Sequence, residues 1–141
     1  MSSSLERTCK TLLDSLLSDK KLHTLCLNIN EPGFSAEKVA KDYLATKGVT
    51  KVSEFHEPTP THFEEILSDI SGATAIVTFE DLDKHPKCLE LLAAHVKEAH
   101  PDGHLIVVSR HWNSDNTDLE KELRRSCLFY QQSNKPVKSS R

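Results

Sequence analysis

The chain has 141 residues, 37% hydrophobic and 28% charged, with a net charge of −3 when its eight histidines are neutral. That is enough chain to bury one independent core, and too little positive charge for general nucleic-acid binding, which needs a basic face to release counterions. No apolar run reaches the length of a membrane span, and Met1 to Arg7 lacks the basic start and apolar centre of a signal peptide.

Leu5, Cys9, Leu12, Leu13, Leu16 and Leu17 recur at spacings of three and four, which predicts an amphipathic helix over residues 5–19. Leu22 to Ile29 has the short, apolar-rich composition of a buried strand. Ser35 is placed to cap a helix that runs to about Thr46 and closes at Lys47-Gly48. Val49 to Phe55 alternates as a second strand. After the break at Pro58 to Thr61, Thr61 with Glu64 has the spacing of a capping box for a helix through Phe63, Ile66, Leu67 and Ile70, ending at Ser71-Gly72.

Ala73 to Phe79 is apolar on both faces and predicts a third strand. Pro86 suits the first turn of a helix carrying Leu89, Leu91, Leu92 and Val96. Pro101-Asp102-Gly103 predicts a turn, His104 to Ser109 a fourth strand, and Asn113 to Asn116 a polar loop. A last helix starts at Thr117 or Asp118 and continues through Leu119, Leu123, Cys127 and Phe129. Strands apolar on both sides, alternating with helices, call for a mostly parallel sheet of four or five strands in a three-layer α/β sandwich. Residues 1–132 are read as one domain, and 133–141 as a disordered basic tail. Leu25, Leu27, Ile76, Val77, Ile106 and Val107 are the predicted centre of its core.

Cys9, Cys26, Cys88 and Cys127 are widely scattered, without a C-x-x-C, and read as buried or half-buried free thiols. A reducing compartment, cytoplasmic or nuclear, follows as the default, and a lumenal one if the chain is an excised domain. His85-x-x-Cys88 and the His100, His104 pair lack the tight paired spacing of structural zinc, so no metal or cofactor is expected.

Two segments carry the functional signal. Asn30 to Lys38 lies between a strand and a helix, the position of a phosphate-binding loop. A working loop reads G-x-x-x-x-G-K-[ST]; here Pro32-Gly33 stands in place, while Ser35 replaces the second Gly, Ala36 the Lys, and Glu37 the magnesium-holding Ser/Thr. The other segment is the strand ending in Phe79-Glu80-Asp81-Leu82-Asp83-Lys84, whose acids have a plainer role as caps of the next helix. On these segments, residues 22–112 resemble the large subdomain of an AAA+ ATPase, nearest to torsin and its caseinolytic-chaperone relatives. Pro32, Gly33, Ser35, Ala36 and Glu37 then match a degenerate phosphate loop, Glu80, Asp81 and Asp83 a Walker B-like segment, and Leu105 to Ser109 the sensor strand. The missing Lys and Ser/Thr resemble the loss of nucleotide binding in the AAA+-like lumenal domains of torsin activators.

The resemblance implies a non-catalytic interaction or regulatory module, binding a protein partner such as an active ATPase or a second copy of itself. Arg110, His111 and Trp112, just beyond the fourth strand, are the candidate contact residues, although an indole there also serves to close a core. The other reading is a small α/β hydrolase or transferase acting at the strand ends through Glu80, Asp83, Ser109 and His111.

Overall fold

The computed structural model describes residues 4–70, 72–98, 103–112 and 118–132. The expectations for His100, the Pro101-Asp102 turn, the 113–116 loop and the 133–141 tail lie outside them. The elements run α1 (Ser4–Ser18), β1 (Thr24–Asn28), α2 (Ala36–Thr46), β2 (Val52–His56), α3 (Pro60–Ser68) and β3 (Thr74–Phe79). A short 3-10 turn (Leu82–Lys84) follows, then α4 (Pro86–Lys97), β4 (His104–Ser109), α5 (Asp118–Ser126) and β5 (Leu128–Gln131).

All strand pairs are parallel, in the order β2-β3-β4-β1-β5. Because successive strand residues face opposite sides, each strand feeds two cores. Leu25, Leu27, Ile76, Ile106 and Val108 pack under α1 and α2, against Leu13, Leu16, Ala40 and Leu44. Cys26, Val77, Phe79, Leu105 and Val107 face α3, α4 and α5, against Phe63, Leu92 and Leu123. The result is the three-layer α/β sandwich, and the six predicted core residues are each at most 1% exposed.

Ser35 caps α2 as expected, its hydroxyl accepting the Lys38 N–H at 3.1 Å. Two expectations are corrected. The cap of α3 is Thr59, not Thr61: its hydroxyl accepts the His62 N–H at 3.2 Å, and Pro60 occupies the first helical position, where a missing N–H costs nothing. The last helix does not continue through Phe129. It stops at Ser126, and Leu128 to Gln131 form β5 on the otherwise open edge of β1, with Leu25 opposite Leu128 and Cys26 opposite Phe129. The backbone groups of that edge of β1 gain ladder partners, which a longer α5 could not supply.

The connections select one place on the carboxyl edge of the sheet. The chain leaves β1 through α2 on one face, whereas it leaves the neighbouring β4 through α5 on the other. The crevice between adjacent strands with oppositely directed connections is where open α/β sheets bind ligands.

Candidate functional site

The loop after β1 is short and tightly closed. The Phe34 N–H donates to the Glu31 carbonyl at 3.0 Å, with Pro32 and Gly33 between them. Gly33 has φ +78°, the left-handed value that the third residue of a type II turn requires and that glycine adopts without strain. Glu37 then falls in the first turn of α2. It is only 8% exposed, although it carries a carboxylate.

What holds Glu37 is Arg110, from just beyond β4. The Arg110 Nη2 donates to Glu37 Oε2 at 2.6 Å, and its Nε lies 3.3 Å from Glu80 Oε2 at the end of β3. His111 Nε2 is 3.8 Å from the same Glu80 carboxylate, and its Nδ1 is 3.2 Å from the Asn30 side-chain amide. Residues following three strands thus form one network across the crevice. The other Glu37 oxygen, Oε1, is buried without a hydrogen-bond partner. In place of a cradle for an anion, this position holds a carboxylate and the cation that neutralises it.

The remaining predicted residues separate from the site or serve the fold. Pro32 and Gly33 form the exposed turn, Ser35 is the helix cap, and Ala36, the first residue of α2, is buried. Asp81 caps the 3-10 turn, its carboxylate accepting the Asp83 N–H at 3.0 Å, while Asp83 itself is exposed. Trp112 is 4% exposed, with its ring centroid 5.0 Å from that of Phe129. It belongs to the core, which corrects its expected role as a surface contact; an indole of that area is more stable packed than wet. Phe34 also packs partly into the core, so the exposed rim is polar and rich in acids.

Of the residues proposed for catalysis, Glu80 and His111 come together, whereas Ser109 is turned into the fold. Ser109 is fully buried, and its hydroxyl accepts the Leu82 N–H at 3.2 Å, so it supports the backbone after β3. Glu80 is engaged with Arg110 and His111. No cluster of three or more His, Cys, Asp or Glu side chains among the described residues is arranged to hold a metal ion. No helix among them is long and apolar enough to cross a membrane.

Three residues of the site were not singled out from the sequence, and a fourth, Asn30, was marked only as the start of the loop. Asn28, the last residue of β1, donates its side-chain amide to the Trp112 carbonyl and accepts the Trp112 N–H at 3.3 Å. Gln132 accepts the Asn30 N–H at 3.0 Å and donates to Glu31 at 2.8 Å. Asn30 completes the contact to His111 described above. Glu57, at φ +49°, accepts the Glu80 N–H and bonds His85 Nε2 at 2.9 Å. Only Asn28 carried a local signal, as a polar side chain within an otherwise apolar strand.

Grooves open both beside the crevice and away from it. One of about 550 Å³ runs between the start of α1, the Glu31–Phe34 turn and Tyr130 and Gln132. A larger one, about 620 Å³, follows β2 and α3, away from the crevice. Neither has the largely apolar, enclosed lining of a small-molecule site with converging polar groups. The chain matches no model of a known protein family, and no curated protein matches it.

Proposed function

We propose that this chain is a non-catalytic protein-interaction module with a degenerate P-loop-like fold, whose anion position is filled by its own Glu37–Arg110 pair. The observation that carries the reading is that pair: a buried carboxylate in the first turn of α2, held at 2.6 Å by an arginine from the neighbouring strand end. A triphosphate there would meet Glu37 at close range without the lysine and hydroxyl that make such a loop work. The strand order also supports the reading. β4 lies between the strand that leads into the loop and the strand that ends in acids, the arrangement of an AAA+ large subdomain. The partner is a protein, an AAA+ ATPase or a second copy of this chain. The exposed rim, with Glu31, Glu57, Glu80 and Asp83, suits a partner surface that presents basic side chains.

The test is calorimetric titration of the full chain with ATP and GTP, with and without magnesium, beside sedimentation over a concentration series and in the presence of an AAA+ ATPase. No saturable nucleotide binding, together with association in either sedimentation arm that charge reversal at Glu31 and Asp83 weakens, is the expected result. Saturable, magnesium-dependent binding at micromolar nucleotide would overturn the reading. So would a chain that remains monomeric and unbound in both sedimentation arms.

A further inference from the structure

Two thiols 101 residues apart in the chain meet under α5. Cys26, in the middle of β1, is fully buried, and Cys127, at the bend between α5 and β5, is partly exposed. Their Sγ atoms are 3.9 Å apart. The parallel register explains the meeting: Cys26 lies opposite Phe129, and Cys127, at the bend just before β5, packs with both on the same side of the sheet. Cys9 lies in the core on the opposite face of the sheet, and the Cys88 thiol points to the Pro58 carbonyl.

We propose that Cys26 and Cys127 are an oxidisable dithiol that forms a reversible disulfide, tying the start of β5 to the centre of β1. A disulfide needs an S–S distance of about 2.05 Å. The closing movement falls to Cys127, at a bend between elements, because Cys26 is fixed in a central strand. The oxidant is a low-molecular-weight disulfide such as oxidised glutathione. The Cys127 thiolate attacks one of its sulfurs, breaking the S–S bond; one glutathione leaves as thiolate and takes up a proton, and a mixed disulfide remains on Cys127. Cys26 then gives up its proton to solvent and attacks the Cys127 sulfur, expelling the second glutathione. Two protein thiols are oxidised and one small disulfide is reduced. The hydrogen bond to Cys127 and burial both push the Cys26 thiol well above the ordinary thiol range, so Cys26 is the poorer nucleophile of the two and its attack comes second and is the slower step.

The bond would reach the crevice through β5. That strand ends beside Gln132, which holds the Asn30 N–H and the Glu31 carboxylate, so anchoring Cys127, the residue just before the strand, braces the loop after β1 from behind. The dithiol acts whether or not the rim binds a partner.

The experiment equilibrates the full wild-type chain in glutathione buffers from fully reduced to fully oxidised, quenches with acid and alkylates the free thiols. Peptide mapping then locates the links, and thermal unfolding is followed on the same samples. The expected result is a Cys26–Cys127 linked peptide with a melting temperature higher by roughly 5–15 °C, both reversed by dithiothreitol and both absent in Cys127→Ser. Alkylation of both thiols at every ratio would overturn the proposal. So would links through Cys9 or Cys88, or a reaction that stops with glutathione on Cys127.

Discussion

Asn28 and Trp112 close a two-bond ring across the top of β1 and β4. The Asn28 side-chain amide donates to the Trp112 carbonyl, and the Trp112 N–H donates back to the Asn28 side-chain oxygen. The backbone just past β4 is thereby satisfied by a side chain rather than by water. It can turn there and lay the indole against Phe129.

Trp112→Ala is therefore expected to destabilise the fold by about 3–5 kcal/mol, the usual cost of removing a buried indole. Urea denaturation followed by circular dichroism checks this. Trp112 is the sole tryptophan, so in the wild type its fluorescence should be blue-shifted and should red-shift with the same midpoint. An unchanged midpoint in the variant would return Trp112 to the surface.

Glu37 and Arg110 should respond unequally to truncation. The Glu37 side chain is 11% exposed and that of Arg110 31%, so the pair is partly screened and worth less than a fully buried one. Arg110→Met strands the Glu37 carboxylate in the crevice and should cost about 1–3 kcal/mol. Glu37→Gln keeps a hydrogen-bond acceptor for Arg110, which also retains Glu80, and should cost about 1 kcal/mol or less. The reverse ranking in equilibrium unfolding would mean that Arg110 does not hold Glu37 in solution.

Gly103 precedes β4, where a Cβ would sit 2.2 Å from the Ile70 carbonyl oxygen. Backbone is the obstacle, so relief requires moving the end of the α3 segment or the start of β4. Gly103→Ala should cost about 1–3 kcal/mol by overpacking, in contrast to Gly48→Ala, where a Cβ meets no neighbour and only the positive φ opposes it. Thermal unfolding of the two variants side by side tests whether this close approach persists in solution.

His104 titrates below its ordinary value of 6.5, because burial disfavours the imidazolium. A lowered histidine makes the unfolded chain the better proton binder between the folded and unfolded pKa values, so stability rises with pH in that window. Its contribution is lost as pH falls through about 6.5, is gone below the folded pKa, and is fully present above 6.5. Urea midpoints measured from pH 8 to pH 5 should fall less steeply in His104→Gln than in the wild type. Parallel slopes would assign the pH dependence to other groups.

The sequence carried most of what one element can encode alone, the cap of α3 excepted. Ile76 and Val77, adjacent on a strand without a polar face, require packing on both sides of a sheet, which leads to parallel strands covered by helices. Ser35 before an apolar-periodic run marks the start of α2 because its hydroxyl has an orphan N–H within reach. What could not be read locally was any choice between partners. Leu128 to Gln131 continue a helical pattern as readily as they form a strand, and the open edge of β1 decides for the strand. Trp112 beyond a strand end fits a core or a surface equally, until Asn28 and Phe129 are placed around it. Glu37 read as a charge that would repel phosphate, and Arg110 as a contact for another molecule. Strand order sets them 2.6 Å apart across 73 residues of chain. Periodicity and capping are properties of neighbouring residues, whereas the pairing of distant charges depends on which strands lie side by side, and that is decided only when the sheet assembles.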